Sequence, residues 1–162
     1  MRVIILVLAA ALVGCQTTVA DTVNTAERYI GLQERQNRAE IKELVGVDPV
    51  RTEWCAAFVN AVLELDGIPS LNNQDRYPPL MARSFLYWGE RVAREDITRG
   101  DIVIFPRGNQ GWQGHVGFYV ETDADGRWII LGGNQDNTVS YGVYSPAHAL
   151  GIRRYQINTT AQ

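Results

Sequence analysis

The chain has 162 residues, of which 46% are hydrophobic, and a formal net charge of −3, which suits one domain with a hydrophobic core. Its 15 Lys and Arg stand against 18 Asp and Glu with no dense basic block, a distribution that argues against a nucleic-acid partner. Two cysteines, Cys15 and Cys55, are too few for a disulfide framework.

The N-terminus has the plan of an export signal over residues 1–14. Arg2 is followed by an apolar run from Val3 to Val13, which falls short of the roughly 20 apolar residues a membrane-spanning helix needs. The end of that run, Leu12-Val13-Gly14-Cys15, resembles the lipobox of bacterial lipoproteins. The resemblance implies lipidation of Cys15 and membrane attachment through the N-terminal lipid, with Gln16 implying the outer membrane where one exists. The alternative is an ordinary signal peptide cut after Ala20, with Thr18 and Ala20 as the small flanking residues. Either processing removes Cys15 as a disulfide partner and leaves Cys55 as a lone thiol in an exported domain. No second long apolar run follows, so membrane attachment would depend on the lipid alone.

Residues 15–24 are polar and Thr-rich and read as a short tether. A helix is expected over 25–45, where Tyr29, Leu32, Ile41, Leu44 and Val45 recur at mostly helical spacing. A second is expected over 53–65, carrying Trp54, Phe58, Val62 and Leu65 on one face, and a short third over 80–88. The period then changes. Runs at 101–105, 115–120, 128–131, 138–144 and 152–157 are rich in β-branched and aromatic residues and bounded by Gly, Pro, Asn or Asp. Asp125-Gly126 marks a hairpin turn between the second and third. Helices first and a strand meander afterwards make an α+β domain over 25–157, with the Cys55 helix packed on an antiparallel sheet and a short tail at 158–162.

Three residues in this plan carry chemistry. With Thr52 as N-cap, Cys55 stands at the third helical position, near unpaired backbone N–H groups that lower a thiol's pKa, while the Glu53 carboxylate opposes that effect. His115 opens a strand behind the Gly-rich loop 108–114, where an imidazole can face a cleft as base and proton donor. Asn134 lies at the far end of the hairpin that begins at His115, so antiparallel pairing returns it to the same sheet end, where its amide oxygen could fix the tautomer of the ring. Each has a plainer reading: a buried core cysteine, a structural strand-end histidine and a turn-forming asparagine.

The segments Trp54-Cys55-Ala56-Ala57-Phe58-Val59-Asn60, Ala82-Arg83-Ser84-Phe85-Leu86-Tyr87-Trp88-Gly89, Gly100-Asp101-Ile102-Val103, Gly114-His115-Val116-Gly117-Phe118 and Gly132-Gly133-Asn134-Gln135 together resemble the CHAP and NlpC-type cysteine peptidases, in particular a phage-endolysin-like subgroup. The resemblance spans residues 29–155. It implies a papain-like fold, with Cys55 as nucleophile, His115 as general base and Asn134 orienting His115. The implied partner is peptidoglycan, cut at an amide within the stem peptide or between sugar and L-alanine, at the cell envelope and without a cofactor. Some members carry an acidic residue two positions before the asparagine, where this chain has Gly132. The backbone N–H of Cys55 is the natural oxyanion donor.

Other readings stay open. A catalytically inactive wall-binding lipoprotein could keep the scaffold, and a related acyl-transfer enzyme could act on another amide. Asp123-Ala124-Asp125-Gly126 looks like the start of a calcium loop, yet no Glu follows at the required distance, and a hairpin turn suits it better. Cys55, His115 and His148 lack the close-spaced pair that begins a zinc site, and His148 reads as a surface residue.

Overall fold

The structure, a computed structural model, describes residues 19–155; Cys15 and the 158–162 tail lie outside the described residues. Three α-helices, α1 (Val19–Glu27), α2 (Arg38–Val45) and α3 (Cys55–Leu65), precede six strands: β1 (Glu90–Arg91), β2 (Ile102–Pro106), β3 (Gly114–Thr122), β4 (Trp128–Gln135), β5 (Thr138–Tyr144) and β6 (Gly151–Arg154). The strands form one open antiparallel sheet in the order β1-β6-β2-β3-β4-β5. The domain is therefore α+β, with the helices packed on a sheet that does not close. No helix among the described residues is long and apolar enough to cross a membrane.

Helix α3 is the centre of the fold. Every residue from Cys55 to Leu63 is buried, because one side meets α1 and α2 while the other lies on β3 and β4. Phe58 and Val62 join Val116, Phe118 and Leu131 in one core, and burial of each such side chain contributes about 1.5–3 kcal/mol. Val103, Phe105, Tyr119, Trp128, Ile130 and Ile152 form a smaller core on the opposite face of the sheet, as the two-residue alternation of strands dictates. Leu65, expected on the buried face, is exposed at the end of the helix.

Three expectations need correction. The tether expected over 15–24 is helical from Val19 onward, since Val23 and Ala26 are fully buried in the main core and packing outweighs the poor helix propensity of the Thr-rich sequence. The single helix expected over 25–45 is broken between α1 and α2. There Gly31 takes a φ of +92°, and the segment docks on the free edge of β5: Gly31 N–H donates to Val139 O at 2.9 Å, and Val139 N–H to Leu32 O at 3.0 Å. Those bonds cover an edge that would otherwise expose unpaired backbone groups. The helix expected over 80–88 is a 3₁₀ segment, Ala82–Tyr87.

The hairpin between β3 and β4 turns at Asp123–Gly126 as the sequence suggests. Asp123 Oδ1 accepts from the backbone N–H groups of Asp125 and Arg127, both at 2.9 Å, and Gly126 has a φ of +76°. The pairing runs Phe118↔Leu131, and it carries the start of β3 and the end of β4 to the same end of the sheet.

Candidate active site

Helix α3 starts at Cys55 itself. Trp54 holds the N-cap position without a side-chain cap bond, so Cys55 is the first helical residue, two positions earlier than Thr52 capping would place it. The indole of Trp54 is fully buried, and this anchorage fixes where the helix begins. The uncapped helix start leaves backbone N–H groups free near the sulfur, and those of Ala56 and Val116 act on the thiol.

His115 sits in β3 directly before Val116, so the first helical turn of α3 meets the strand start that bears the imidazole. Both side chains are withdrawn from solvent, Cys55 being 3% and His115 4% exposed. The ring of His115 stacks on Tyr144, with centroids 5.7 Å apart and planes inclined by 10°. Neither ring nitrogen makes an aligned hydrogen bond, an unusual state for a buried polar group.

Burial dominates the electrostatics. It pushes the Cys55 thiol above its ordinary range; the Arg107 charge and the N–H groups of Val116 and Ala56 oppose it, and Glu53 adds to it. The helix-start contribution expected from the sequence is present but outweighed. Burial, followed by the Arg107 charge, lowers His115 to about 4, while Gln135 works in the other direction. At neutral pH the resting pair is therefore a neutral thiol and a neutral imidazole.

Asn134 reaches the same sheet end but makes no hydrogen bond to His115. It adopts a φ of +57°, and its side-chain Nδ2 donates to Glu53 Oε2 at 2.7 Å. Arg107 Nη1 lies 3.6 Å from the same carboxylate oxygen and donates to the backbone O of Asn134 at 3.2 Å. Glu53, Arg107 and Asn134 thus link the start of α3, the end of β2 and the end of β4. The approach of β4 to α3 depends on Gly133, where a Cβ would stand 2.6 Å from both Phe58 Cβ and Trp54 Cζ3.

Two cavities meet at Arg107. One, of about 300 Å³, lies against Cys55 and is walled by Leu80, Met81, Ala82 and Trp112; the Trp112 side chain is prominent, 62% exposed. Arg83 Nε donates to Gln113 O at 2.6 Å and ties the Trp112-bearing loop to the 3₁₀ segment. The other cavity, of about 380 Å³, is lined by His115, Asn134, Gln135 and Tyr144. Cys55 lines the first cavity and His115 the second, and a neutral thiol and a neutral imidazole are the groups that nucleophilic attack on a carbonyl with concerted proton transfer requires.

Sequence reasoning brought Cys55, His115 and Asn134 to one end of the molecule, but it missed Arg107 and Tyr144. The available signal was Arg107 standing between a strand and a Gly-rich loop. His148 is exposed on a 3₁₀ turn and stands apart from the residues lining both cavities.

Comparison with known proteins gives the site a context. The sequence matches the CHAP domain over residues 47–134, a stretch that contains Cys55, His115 and Asn134. No curated protein matches the chain. Among solved structures, an NlpC/P60 family protein from Bacillus cereus is similar with a TM-score of 0.55 at 19% identity, over 85% of this chain and 40% of its own. A protein described as similar to lipoprotein, NLP/P60 family, from Staphylococcus aureus has a TM-score of 0.56 at 20% identity, over 86% of this chain and 42% of its own. A wild type endolysin, LysIME-EF1, has a TM-score of 0.58 at 15% identity, over 89% and 67%. The chain spans less than half the length of the first two. At these identities the likeness establishes the papain-like fold of the NlpC/P60 proteins.

Proposed function

The chain belongs to the CHAP domain family, and from that premise we propose that it is a peptidoglycan hydrolase of the cell envelope, cutting an amide bond of the wall peptide with Cys55 as nucleophile and His115 as base. The observation that carries this reading is the burial of the described chain's one cysteine at the first position of α3, against the N–H of the residue that follows His115.

The proposed reaction follows from the protonation states. His115 takes the Sγ proton as sulfur attacks the amide carbon, and the tetrahedral oxyanion forms near the backbone N–H of Cys55. The imidazolium then gives its proton to the leaving nitrogen, so the C–N bond breaks and a thioester remains. Water, deprotonated by His115, attacks the thioester; the acid product leaves and the proton returns to sulfur. The exposed indole of Trp112 and the apolar wall formed by Leu80 and Met81 would hold the acyl side of the substrate. Asn134, the expected orienter, donates its side-chain N–H to Glu53 instead.

Mass spectrometry of fragments released from purified peptidoglycan tests the assignment. The native chain should release muropeptides, and Cys55→Ala should release none while melting at an unchanged temperature. Undiminished release by the variant would sink the nucleophile. No release by the native chain, with retained binding to sacculi, would favour the wall-binding lipoprotein.

Anchoring is proposed on the lipobox resemblance of Leu12-Val13-Gly14-Cys15 alone. The native protein should then partition with membranes, in the outer membrane where one exists, and Cys15→Ser should leave it unprocessed or soluble. An N-terminal peptide beginning at Asp21 without acyl mass would overturn the anchor.

A further inference from the structure

The end of β4 breaks the alternation that strands normally keep, and the break changes which residue faces His115. Continuing the Phe118↔Leu131 register places Gly132 opposite Gly117, on the sheet face that also carries His115. Regular geometry would return Asn134 to that face. The left-handed conformation of Asn134 and the register shift between Gly132 and Gln135 prevent it. Asn134 leaves toward Glu53, and Gln135 takes the vacated side.

Two glycines make room for the glutamine. A Cβ on Gly132 would stand 3.3 Å from His115 Nε2 and 3.5 Å from Gln135 Nε2, so the imidazole and the carboxamide flank the same small space. A Cβ on Gly142 would collide with Gln135 Oε1. The Gln135 side chain, only 8% exposed, is held from all sides. Its Nε2 donates to the carbonyls of Ile130 at 3.2 Å, Gly132 at 3.5 Å and Ser140. Its Oε1 accepts from Tyr144 Oη at 2.7 Å. These donations fix the amide with its oxygen on the Tyr144 side, and Tyr144 is the ring on which His115 stacks.

We infer that Gln135, not Asn134, is the positioning residue for His115: a small rotation of the ring lets Oε1 accept from His115 Nε2–H, which leaves Nδ1 as the nitrogen that acts on Cys55. An amide oxygen has two lone pairs, so Tyr144 Oη and the imidazole can share it. Tyr144, pushed up to about 12 by burial, stays protonated and keeps donating. That Gln135 already opposes the downward shift of His115 is what an acceptor beside an imidazole does. The assignment of this role depends on the hydrolase reading for its purpose, but not for its geometry.

Nitrogen-15 NMR of the imidazoles tests it without turnover, using His148→Ala to identify the His115 signals. The native chain should show the Nε2–H tautomer of His115. Asn134→Ala should leave it unchanged, whereas Gln135→Met, which keeps the length and removes the acceptor, should yield a mixture of tautomers. Should Gln135→Met fail to fold, Gln135→Glu decides: a carboxylate in the same place should retain the Nε2–H tautomer and raise the imidazole pKa. A tautomer that responds to Asn134 and ignores Gln135, or a glutamate that leaves the imidazole pKa unmoved, would overturn the inference. If the native chain proves active, Gln135→Met should lower kcat at least tenfold with little change in KM. If it releases nothing from peptidoglycan, the NMR result still stands by itself.

Discussion

The two halves of the site are built by different physics. Cys55 is placed by a helix buried all round, whose first residue is fixed by the anchored indole of Trp54. The other half is placed by strand register and by glycines: His115 by its pairing opposite Phe105, Gln135 by the gaps that Gly132 and Gly142 leave. A buried helix tolerates small errors in its neighbours because many contacts share the load. A strand end held by a register shift and three backbone acceptors does not. The helix half should therefore fail through loss of chemistry, and the strand half through loss of geometry.

The widest separation is expected at His115 itself. His115→Ala should cost about 10²- to 10⁴-fold in muropeptide release, the usual contribution of general acid–base catalysis, and so approach the inactivity of Cys55→Ala. Asn134→Ala should retain measurable turnover because its side chain serves Glu53. Equal losses at His115 and Asn134 in release assays would erase the distinction.

Acid should expose the same half. His115 falls from an ordinary 6.5 to about 4 in the fold, so the unfolded chain binds its proton first. Stability is then fully present above pH 6.5 and is lost as pH falls toward 4, by about 3 kcal/mol. Denaturant unfolding at pH 7 and pH 4.5 measures the loss, and in His115→Gln the acid sensitivity across that window should shrink. An identical pH dependence in both proteins would remove His115 as its source.

Much of this was legible because the signals are local. The strand runs, the Asp125-Gly126 turn and the places of Cys55 at a helix start and His115 at a strand start follow from periodicity and turn chemistry. What escaped is tertiary. Val19 to Asn24 reads as a tether until Val23 finds a core. Thr52 is a good N-cap residue, but the burial of Trp54 decides the helix start. The orientation of Asn134 follows from a left-handed backbone at a non-glycine residue, which no periodicity announces.

Gly133 joins the two halves and should respond more modestly than the reacting groups. Gly133→Ala must push β4 away from Phe58 and Trp54, at a cost of about 1–3 kcal/mol typical of overpacking. Thermal melting should show the loss, and release should fall further than a stability change of that size explains. The reverse result, full activity at a lowered melting temperature, would show that the strand half tolerates displacement.

The smallest effects should come from the charges over the cleft. Glu53 raises the Cys55 thiol and Arg107 lowers it, and the two lie 3.6 Å apart. Glu53→Gln keeps an acceptor for Asn134 while removing the negative charge, so the thiol pKa should fall and iodoacetamide alkylation should begin at lower pH. Arg107→Gln should move the profile the other way, since a cation is lost and Glu53 is left uncompensated. Glu53 is three-quarters exposed, and water screens its charge, so each change should be about two- to fivefold in rate at a fixed pH. Opposite displacements of the two profiles would show that the charges act on the sulfur directly. Displacement in the same direction would mean that opening the Glu53–Arg107 pair exposes Cys55, and that its burial rather than its charged neighbours sets the reactivity.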